Sequence, residues 1–156
     1  MTYSIRIYAF NDLLVFTGAM DMYFEKYKGI GPGYYDRPMA VLPHDCSAED
    51  VAATIQKCII ELQNHQESIF CDNSQNDIMQ MEKRIFQNFK LFGITTSKSQ
   101  IIKQSAEILI RRKEGGYVLT KSKAKGRHMM VEKEISFPVD TPMLEIAQGT
   151  MELLNN

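Results

Sequence analysis

The fold is decided first by residues 3–10, which read Tyr3-Ser4-Ile5-Arg6-Ile7-Tyr8-Ala9-Phe10. The apolar odd-numbered positions from Ile5 to Ala9 fall on one side, and Tyr8 and Phe10 fall on the other. This period of two predicts a β-strand. Asn11-Asp12 is a turn signal, and residues 13–17 (Leu-Leu-Val-Phe-Thr) resume as a strand, so a β-hairpin is expected here.

A stretch dense in glycine and tyrosine follows the hairpin. It reads Gly29-Ile30-Gly31-Pro32-Gly33 and continues as Tyr34-Tyr35-Asp36. Three glycines and a proline in five residues predict an irregular loop. A phosphate-binding loop would need free N–H groups at a helix start, but Pro32 removes one donor and no helix follows. A structural or recognition loop is the better interpretation.

Helical spacing appears in three later regions. Ser47 is a plausible N-cap with Asp50 three residues on, and the helix that they begin is expected to reach about Gln66. A second helix should end at Gly93, and a closing helix should run from about Pro142 to Leu153. The second helix is predicted from apolar residues on one side: Ile78, Met81, Ile85, Phe89 and Phe92.

Further strands are predicted before and between these helices. Residues 39–42 are a short buried strand, and residues 106–112 and 117–122 form a hairpin around Lys113-Glu114-Gly115-Gly116. A basic loop at 123–128 separates this hairpin from a strand at 131–137. The stretch 97–103 is compatible with either helix or strand.

An internal repeat relates the two halves of the chain. Leu42-Pro43-His44-Asp45 matches Phe137-Pro138-Val139-Asp140, 95 positions later, and Asp50-Val51-Ala52 matches Glu145-Ile146-Ala147. Proline stops each strand and the aspartate favours the turn before a helix. Two strand-to-helix units on one sheet explain the match; chance and shared turn chemistry are the alternative.

These elements define the fold class. We expect a single α/β (α+β) domain spanning residues 1–156, with a mixed or antiparallel sheet of five to six strands and about three helices. Hydrophobic residues make up 44% of the chain and charged residues 24%, which is ordinary for a folded domain.

Compartment and class follow from what the sequence lacks. No apolar run approaches a membrane span, and the first residues do not resemble a signal peptide, so a cytoplasmic protein is expected. Cys46, Cys58 and Cys71 are odd in number and widely spaced, which favours reduced thiols over a disulfide framework or a zinc site.

Catalytic motifs are also missing from the sequence. It contains no P-loop, no Rossmann fingerprint and no nucleophile elbow. His44, His65 and His128 lie in different elements, and a pair of His44 with Cys46 lacks an orienting third group. We therefore expect no enzyme activity, no cofactor and no metal.

Charge divides unevenly along the chain. Residues 1–82 carry twelve acids and five bases, a balance of −7, and residues 83–156 carry seven acids and thirteen bases, a balance of +6. This asymmetry indicates either a charged partner or two oppositely charged parts that attract each other in the fold.

Several stretches together resemble a known family pattern. They are Thr96 to Lys103 followed by a strand, Gly115-Gly116, a second strand and a basic loop; residues 135–140 running into the closing helix; and the Met39 to Leu62 segment. The pattern is similar to that of immunity proteins of bacterial contact-dependent growth inhibition systems. One departure is Thr141-Pro142-Met143, with the acid delayed to Glu145, where a serine-proline-acid helix start is more usual.

The resemblance implies an α/β fold without a catalytic site. It also implies a partner: the C-terminal toxin domain of a large exported adhesin, neutralised in the cytoplasm. Such toxins are often nucleases, many of them directed at tRNA.

A nuclease has a basic cleft, and an inhibitor's acidic surface can occupy it. The acidic residues 1–82 are therefore the expected interface, with tyrosines as anchors and carboxylates as ion-pair partners. The candidate toxin-binding residues are Asp21, Glu25, Tyr34, Tyr35, Asp36, Glu67 and Asp72.

An alternative uses the basic segment from Lys121 to Arg127. A small nucleic-acid-binding or regulatory module would show salt-dependent binding to RNA or DNA through it. The segment has no interleaved aromatic residues on which bases could stack, so direct nucleic-acid binding is not expected.

Overall fold

The computed structural model describes residues 2–25, 28–65, 69–71, 80, 83–126 and 128–156, with residues 69–71 described by their backbone. Eight strands of these residues form one antiparallel sheet, which confirms the single-sheet α+β class and exceeds the expected five to six strands. The strands are β1 (Tyr3–Phe10), β2 (Leu13–Phe24), β3 (Gly29–Tyr35), β4 (Ala40–Pro43), β5 (Ile69–Cys71), β6 (Ala106–Lys113), β7 (Gly116–Lys125) and β8 (His128–Phe137). The helices are α1 (Ala48–Asn64), α2 (Lys98–Gln104) and α3 (Met143–Asn155), with a 3-10 helix at Asn88–Phe92.

The order of strands places the strands of the two halves of the chain in two separate groups within the sheet. It runs β5-β3-β2-β1-β6-β7-β8, and β4 pairs with the first part of β2 while β3 pairs with its second part. The seam between the halves is the β1–β6 pair, in which Ile7 lies opposite Ile108. The strands of the acidic part of the sequence therefore lie toward one edge of the sheet, and the strands of the basic part lie toward the other edge.

The main core lies between one face of the sheet and helices α1 and α3. Alternate residues of the strands supply it, among them the fully buried Ile5, Phe16 and Ile110. Val51 and Ile55 of α1, together with Ile146 of α3, pack against them. Each buried aliphatic side chain of this size stabilises the fold by roughly 1.5–3 kcal/mol.

A second, smaller core covers part of the opposite face. Tyr8, Phe10 and Val15 from the sheet pack there against Phe89 and Ile101. Helical residues 83–87, the 3-10 helix and α2 supply this cover. The other part of that face, around Ser4 and Ala19, carries no such layer from the described residues.

The local signals at the helix ends are confirmed. The Ser47 hydroxyl accepts from the Asp50 N–H at 3.1 Å, and the Asp50 carboxylate accepts from the Ser47 N–H at 3.2 Å. Gly93 ends the 3-10 helix in the left-handed conformation, with φ 75°. Helix α1 ends at Asn64, and α3 begins at Met143 and ends at Asn155.

The predicted second helix is only partly reproduced. Ile85 and Phe89 are buried as its pattern required, but Phe92 is exposed. The helix also tightens into a 3-10 turn from Asn88. Ile78 and Met81 lie outside the described residues. The ambiguous stretch 97–103 is helical, with Ser97 as the N-cap of α2.

The prediction of an irregular loop at residues 29–33 is wrong, because β3 spans Gly29–Tyr35. Pro32 lies opposite Asp21 of β2, in the part of β3 that no described strand flanks on its outer side. A missing N–H there breaks no ladder bond, so proline is tolerated at this edge. The strand β2 is longer than predicted for the same reason, since β3 extends its pairing to Phe24.

The prediction of a basic loop at residues 123–128 is also wrong. Strand β7 continues to Lys125 and β8 begins at His128, so Lys123, Lys125 and His128 belong to a hairpin. A register shift lies near Lys121, where Lys121 pairs with Lys133 and Ser122 pairs with Val131. Alternation then buries some of these side chains and exposes others.

The internal repeat corresponds to two equivalent units. Strand β4 leads through Pro43 into α1, and strand β8 leads through Pro138 into α3. Both helices pack on the same face of the sheet and on each other. The prediction of two strand-to-helix units on one sheet is confirmed.

Candidate protein-binding surface

Strands β2 and β3 extend beyond the neighbouring strand β1. The β1–β2 ladder begins where Tyr3 lies opposite Met20, while the β2–β3 ladder continues to Phe24 opposite Gly29. The N–H of Asp21 donates to the Thr2 carbonyl at 3.0 Å, just beyond the Tyr3–Met20 pair that begins the β1–β2 ladder. The β2–β3 residues beyond Met20 therefore form a two-stranded arm.

One side of this arm exposes apolar and acidic groups together. Tyr23 is 59% exposed and lies directly opposite Ile30, which is 77% exposed. Asp21 and Pro32 form the adjacent cross-strand pair, and both are exposed. Because residues two apart in a strand share a side, these four residues form one continuous surface, called the arm surface below. Tyrosine with an exposed aliphatic neighbour is typical of protein interfaces.

A depression adjoins the arm surface on the same side of the sheet. Its volume is about 220 Å³, and it is lined by Ser4, Ala19, Tyr34 and Asp21, with Arg6 and Arg111 on the β1–β6 side. It exists because Ser4 and Ala19, which lie opposite each other, are small. Larger side chains surround these two residues. The depression over them is called the sheet depression below.

Arg6, which lines the depression, forms an ion pair across the seam with Glu107, which does not line it. Arg6 Nε lies 3.2 Å from Glu107 Oε1, with the carboxylate side chain largely buried and the guanidinium partly exposed. Burial would lower the pKa of Arg6, but Tyr8 and Glu107 outweigh it and raise that pKa above its ordinary value. Arg6 is therefore a permanent cation.

The candidate residues from the sequence divide between exposed and buried positions. Asp21 belongs to the arm surface, Glu25 is exposed just after β2, and Tyr34 is half-buried at the wall of the depression. Tyr35 is 5% exposed and Asp36 is 7% exposed, so neither presents its side chain to a partner. Glu67 and Asp72 lie outside the described residues.

The two buried candidates hold the chain together where it leaves β3. The Tyr35 hydroxyl donates to Glu61 Oε1 of α1 at 2.6 Å. The Asp36 carboxylate accepts from Arg37 Nε at 2.7 Å, and this hydrogen bond together with the carboxylate's charge raises the pKa of Arg37. The Asp36 carbonyl accepts from Asn88 Nδ2 at 2.7 Å. Their contacts are therefore intramolecular.

Sequence reasoning did not select Tyr23, Ile30, Arg6 or Arg111 as interface residues. The signal for Tyr23 was the alternation of Met20, Met22 and Phe24 with Asp21 and Tyr23, which extends the β2 pattern. The signal for Ile30 was masked by its glycine and proline neighbours. The two arginines come together only through the β1–β6 register, which the sequence does not specify.

The described residues include two free cysteines and no cluster suited to a metal ion. Within the described ranges, no group of three or more histidine, cysteine and acidic side chains is placed to hold a metal ion. Cys46 and Cys58 are free thiols, and burial, with a smaller effect of Glu61, raises the pKa of Cys58 to about 12. A buried neutral thiol is a poor nucleophile.

The basic hairpin offers fewer charges than its sequence indicates. Lys121 is 3% exposed, whereas Lys123, Lys125 and His128 are exposed. Arg127 lies outside the described residues.

No helix of the described part of the chain is long and apolar enough to cross a membrane.

Comparison with known proteins gives structural likeness alone. No family model matches the chain, and no curated protein matches its sequence. One similar structure is a protein of unknown function, NMB0488, from Neisseria meningitidis, with TM-score 0.63, 18% identity, and coverage of 98% of this chain and 93% of that one. Another is a chain of the CdiA-CT/CdiI toxin and immunity complex from Yersinia pseudotuberculosis, with TM-score 0.63, 10% identity, and coverage of 98% of this chain and 95% of that one. At these identities the likeness establishes a shared fold.

Proposed function

We propose that this chain is an immunity protein of a contact-dependent growth inhibition system, which binds the C-terminal toxin domain of an exported protein and neutralises it in the cytoplasm. The observation that carries the proposal is the full-length likeness to a chain of a toxin and immunity complex. The sequence resemblance points to the same family through different features, namely turn and helix-start motifs.

The arm surface and the sheet depression are the proposed interface. Tyr23 and Ile30 supply apolar anchors that need no rearrangement to be reached, and Tyr34 lies next to them. Asp21 and Glu25 supply carboxylates for lysine or arginine residues of the toxin, as expected for a nuclease with a basic cleft. Glu67 and Asp72 remain part of the proposal by sequence alone. We propose no catalytic role for the chain.

The buried candidates enter the proposal differently. Tyr35→Ala or Asp36→Ala removes an intramolecular contact, so either variant would lower stability before it could report on a partner. The interface is better probed by changes at exposed positions, whose effect on stability is expected to stay within about 0.5 kcal/mol.

The test is a calorimetric titration of this chain with the C-terminal domain of the exported protein encoded by the adjacent gene. An unrelated toxin domain is the control. We expect selective nanomolar binding and loss of toxicity in cells that express both. Ile30→Ala and Tyr23→Ala should each weaken binding about tenfold or more. Ile60→Ala is the matched control, because Ile60 is also exposed but lies on α1.

If the wild-type chain does not bind the C-terminal domain of the exported protein encoded by the adjacent gene, the proposed toxin and immunity pairing is overturned. The alternative module would then be tested by RNA and DNA binding in low and high salt, with Lys123→Ala and Lys125→Ala as variants. Equal losses in Ile60→Ala and Ile30→Ala would overturn the placement of the interface and leave the pairing intact.

A further inference from the structure

Two arginines from different strands reach the same depression. In the β1–β6 ladder, Arg6 lies opposite Leu109 and Ser4 lies opposite Arg111. Arg6 and Arg111 are therefore diagonal neighbours on one side of the sheet, with Cα atoms about 7–8 Å apart. Both line the sheet depression. That spacing allows two guanidinium groups to approach one small anion.

The two guanidinium groups retain donors for such an anion. Arg6 uses Nε for Glu107 and another N–H for the Tyr8 hydroxyl, which leaves the other donors of its five-donor guanidinium fork for a ligand. Arg111 is exposed, and no carboxylate of the described residues lies within 4.0 Å of it. Glu107 and Arg111 lie on either side of Leu109, the residue opposite Arg6, so the Glu107 contact orders the Arg6 side chain between the two.

The surrounding charges select a singly charged, planar anion. Glu107 already balances part of the positive charge of Arg6, and the Asp21 carboxylate lines the far wall of the depression, so a doubly charged phosphate would find too little positive charge there. A carboxylate carries one charge and matches the guanidinium fork in a bidentate geometry. Ser4 and Ala19 leave room for an aspartate or glutamate side chain above the floor.

We propose that Arg6 and Arg111 form a receptor site for one carboxylate side chain of the protein partner; the partner's identity rests on the proposed function above. The depression then has a fixed polarity. Arg111 and Arg6 bind an acidic side chain of the partner on the β6 side, and Asp21 binds a basic side chain of the partner on the β2 side. A partner must present the two charges in that order, which sets its orientation on the sheet.

The first test needs no partner. The Nε–Hε signals of the arginines are followed by nuclear magnetic resonance while acetate replaces chloride at constant ionic strength. We expect saturable shifts for Arg6 and Arg111, and none for Arg37, whose Nε is held by Asp36. Arg111→Gln should abolish saturation, and Lys113→Gln, on the same strand and exposed, should keep it.

Linear, equal shifts for all arginines would overturn the site. So would saturation that persists in Arg111→Gln, and so would inorganic phosphate saturating at a concentration at least about tenfold lower than acetate, which would assign the site to phosphates.

The second test uses the toxin domain. Arg111→Glu should weaken its binding about tenfold or more, and Lys113→Glu, with the same change of charge, should stay within about twofold. Equal effects of the two variants would overturn the assignment to the partner. If wild-type chain binds acetate saturably but not the domain, the proposed function fails and the carboxylate site stands.

Discussion

At the scale of single residues, the backbone decides which glycines are necessary. Gly116 begins β7 with φ 137°, and a Cβ built there would lie 2.1 Å from the Phe137 carbonyl oxygen. Gly115 beside it has no heavy atom within 4 Å of such a Cβ. Of the two adjacent glycines in one turn signal, only Gly116 therefore requires glycine, both for its positive φ and for the close approach of β8.

Gly116→Ala should be strongly destabilising for this reason. We expect a loss of about 2–4 kcal/mol in the free energy of unfolding, measured by urea titration, because both the clash and the positive φ must be relieved. Gly115→Ala is the matched control and should stay within about 0.5–1 kcal/mol. Equal losses in the two variants would contradict the close approach of β7 and β8.

The buried Cys58 thiol makes stability depend on alkaline pH. Its pKa is raised from 9.0 to about 12 in the folded chain, first by burial and then by Glu61. Below pH 9 the thiol is neutral in both the folded and the unfolded chain, so the stability that its burial contributes is fully present. Above pH 9 the unfolded chain ionises and the folded chain does not, so stability is lost as pH rises through this window, by up to about 1.4 kcal/mol per pH unit.

The measurement compares wild type with Cys58→Ala between pH 8 and pH 11. The difference in the free energy of unfolding should shrink as pH rises, because the variant lacks the titrating group. Parallel curves would show that the Cys58 thiol ionises equally in both states.

At the scale of elements, the sequence predicted those whose signals are local. Helix α1 follows from Ser47 and Asp50, and β1 follows from alternation over its eight residues. Strand β3 could not be predicted, because its glycines and Pro32 have low strand propensity and only its pairing with β2 makes it a strand. The arm surface was hidden for the same reason, since Tyr23 and Ile30 meet only through that pairing.

The capping box of α1 provides a test of such a local signal. Ser47→Ala removes the hydroxyl that accepts from the Asp50 N–H, and the expected cost is about 1 kcal/mol in urea unfolding. Ser47→Thr keeps the acceptor oxygen and should recover most of the loss. If the threonine variant is as unstable as the alanine variant, the N-cap hydrogen bond does not stabilise α1.

At the scale of the whole molecule, the β1–β6 seam joins an acidic half to a basic half. The charge balances of −7 and +6 favour attraction between the two sides of the sheet. The one ion pair described across the seam has the reverse polarity, since Arg6 belongs to the acidic half and Glu107 to the basic half. The seam is therefore not a simple contact between opposite patches, which the sequence could not reveal without the register.

A double-mutant cycle on Arg6 and Glu107 measures this pair. Arg6→Met leaves the Glu107 carboxylate largely buried without its cation, so we expect a loss of about 1–3 kcal/mol in the free energy of unfolding. Arg6→Met with Glu107→Gln should cost less than the sum of the single changes, with a coupling of about 1 kcal/mol. The control cycle pairs Glu107→Gln with Arg112→Met, because Arg112 stacks on Tyr117, 5.3 Å from the ring centroid, on the other side of the sheet. Its effects should add to within about 0.5 kcal/mol. If both cycles are additive, Glu107 does not stabilise Arg6, and Arg6 would enter the sheet depression as a mobile side chain rather than a fixed one.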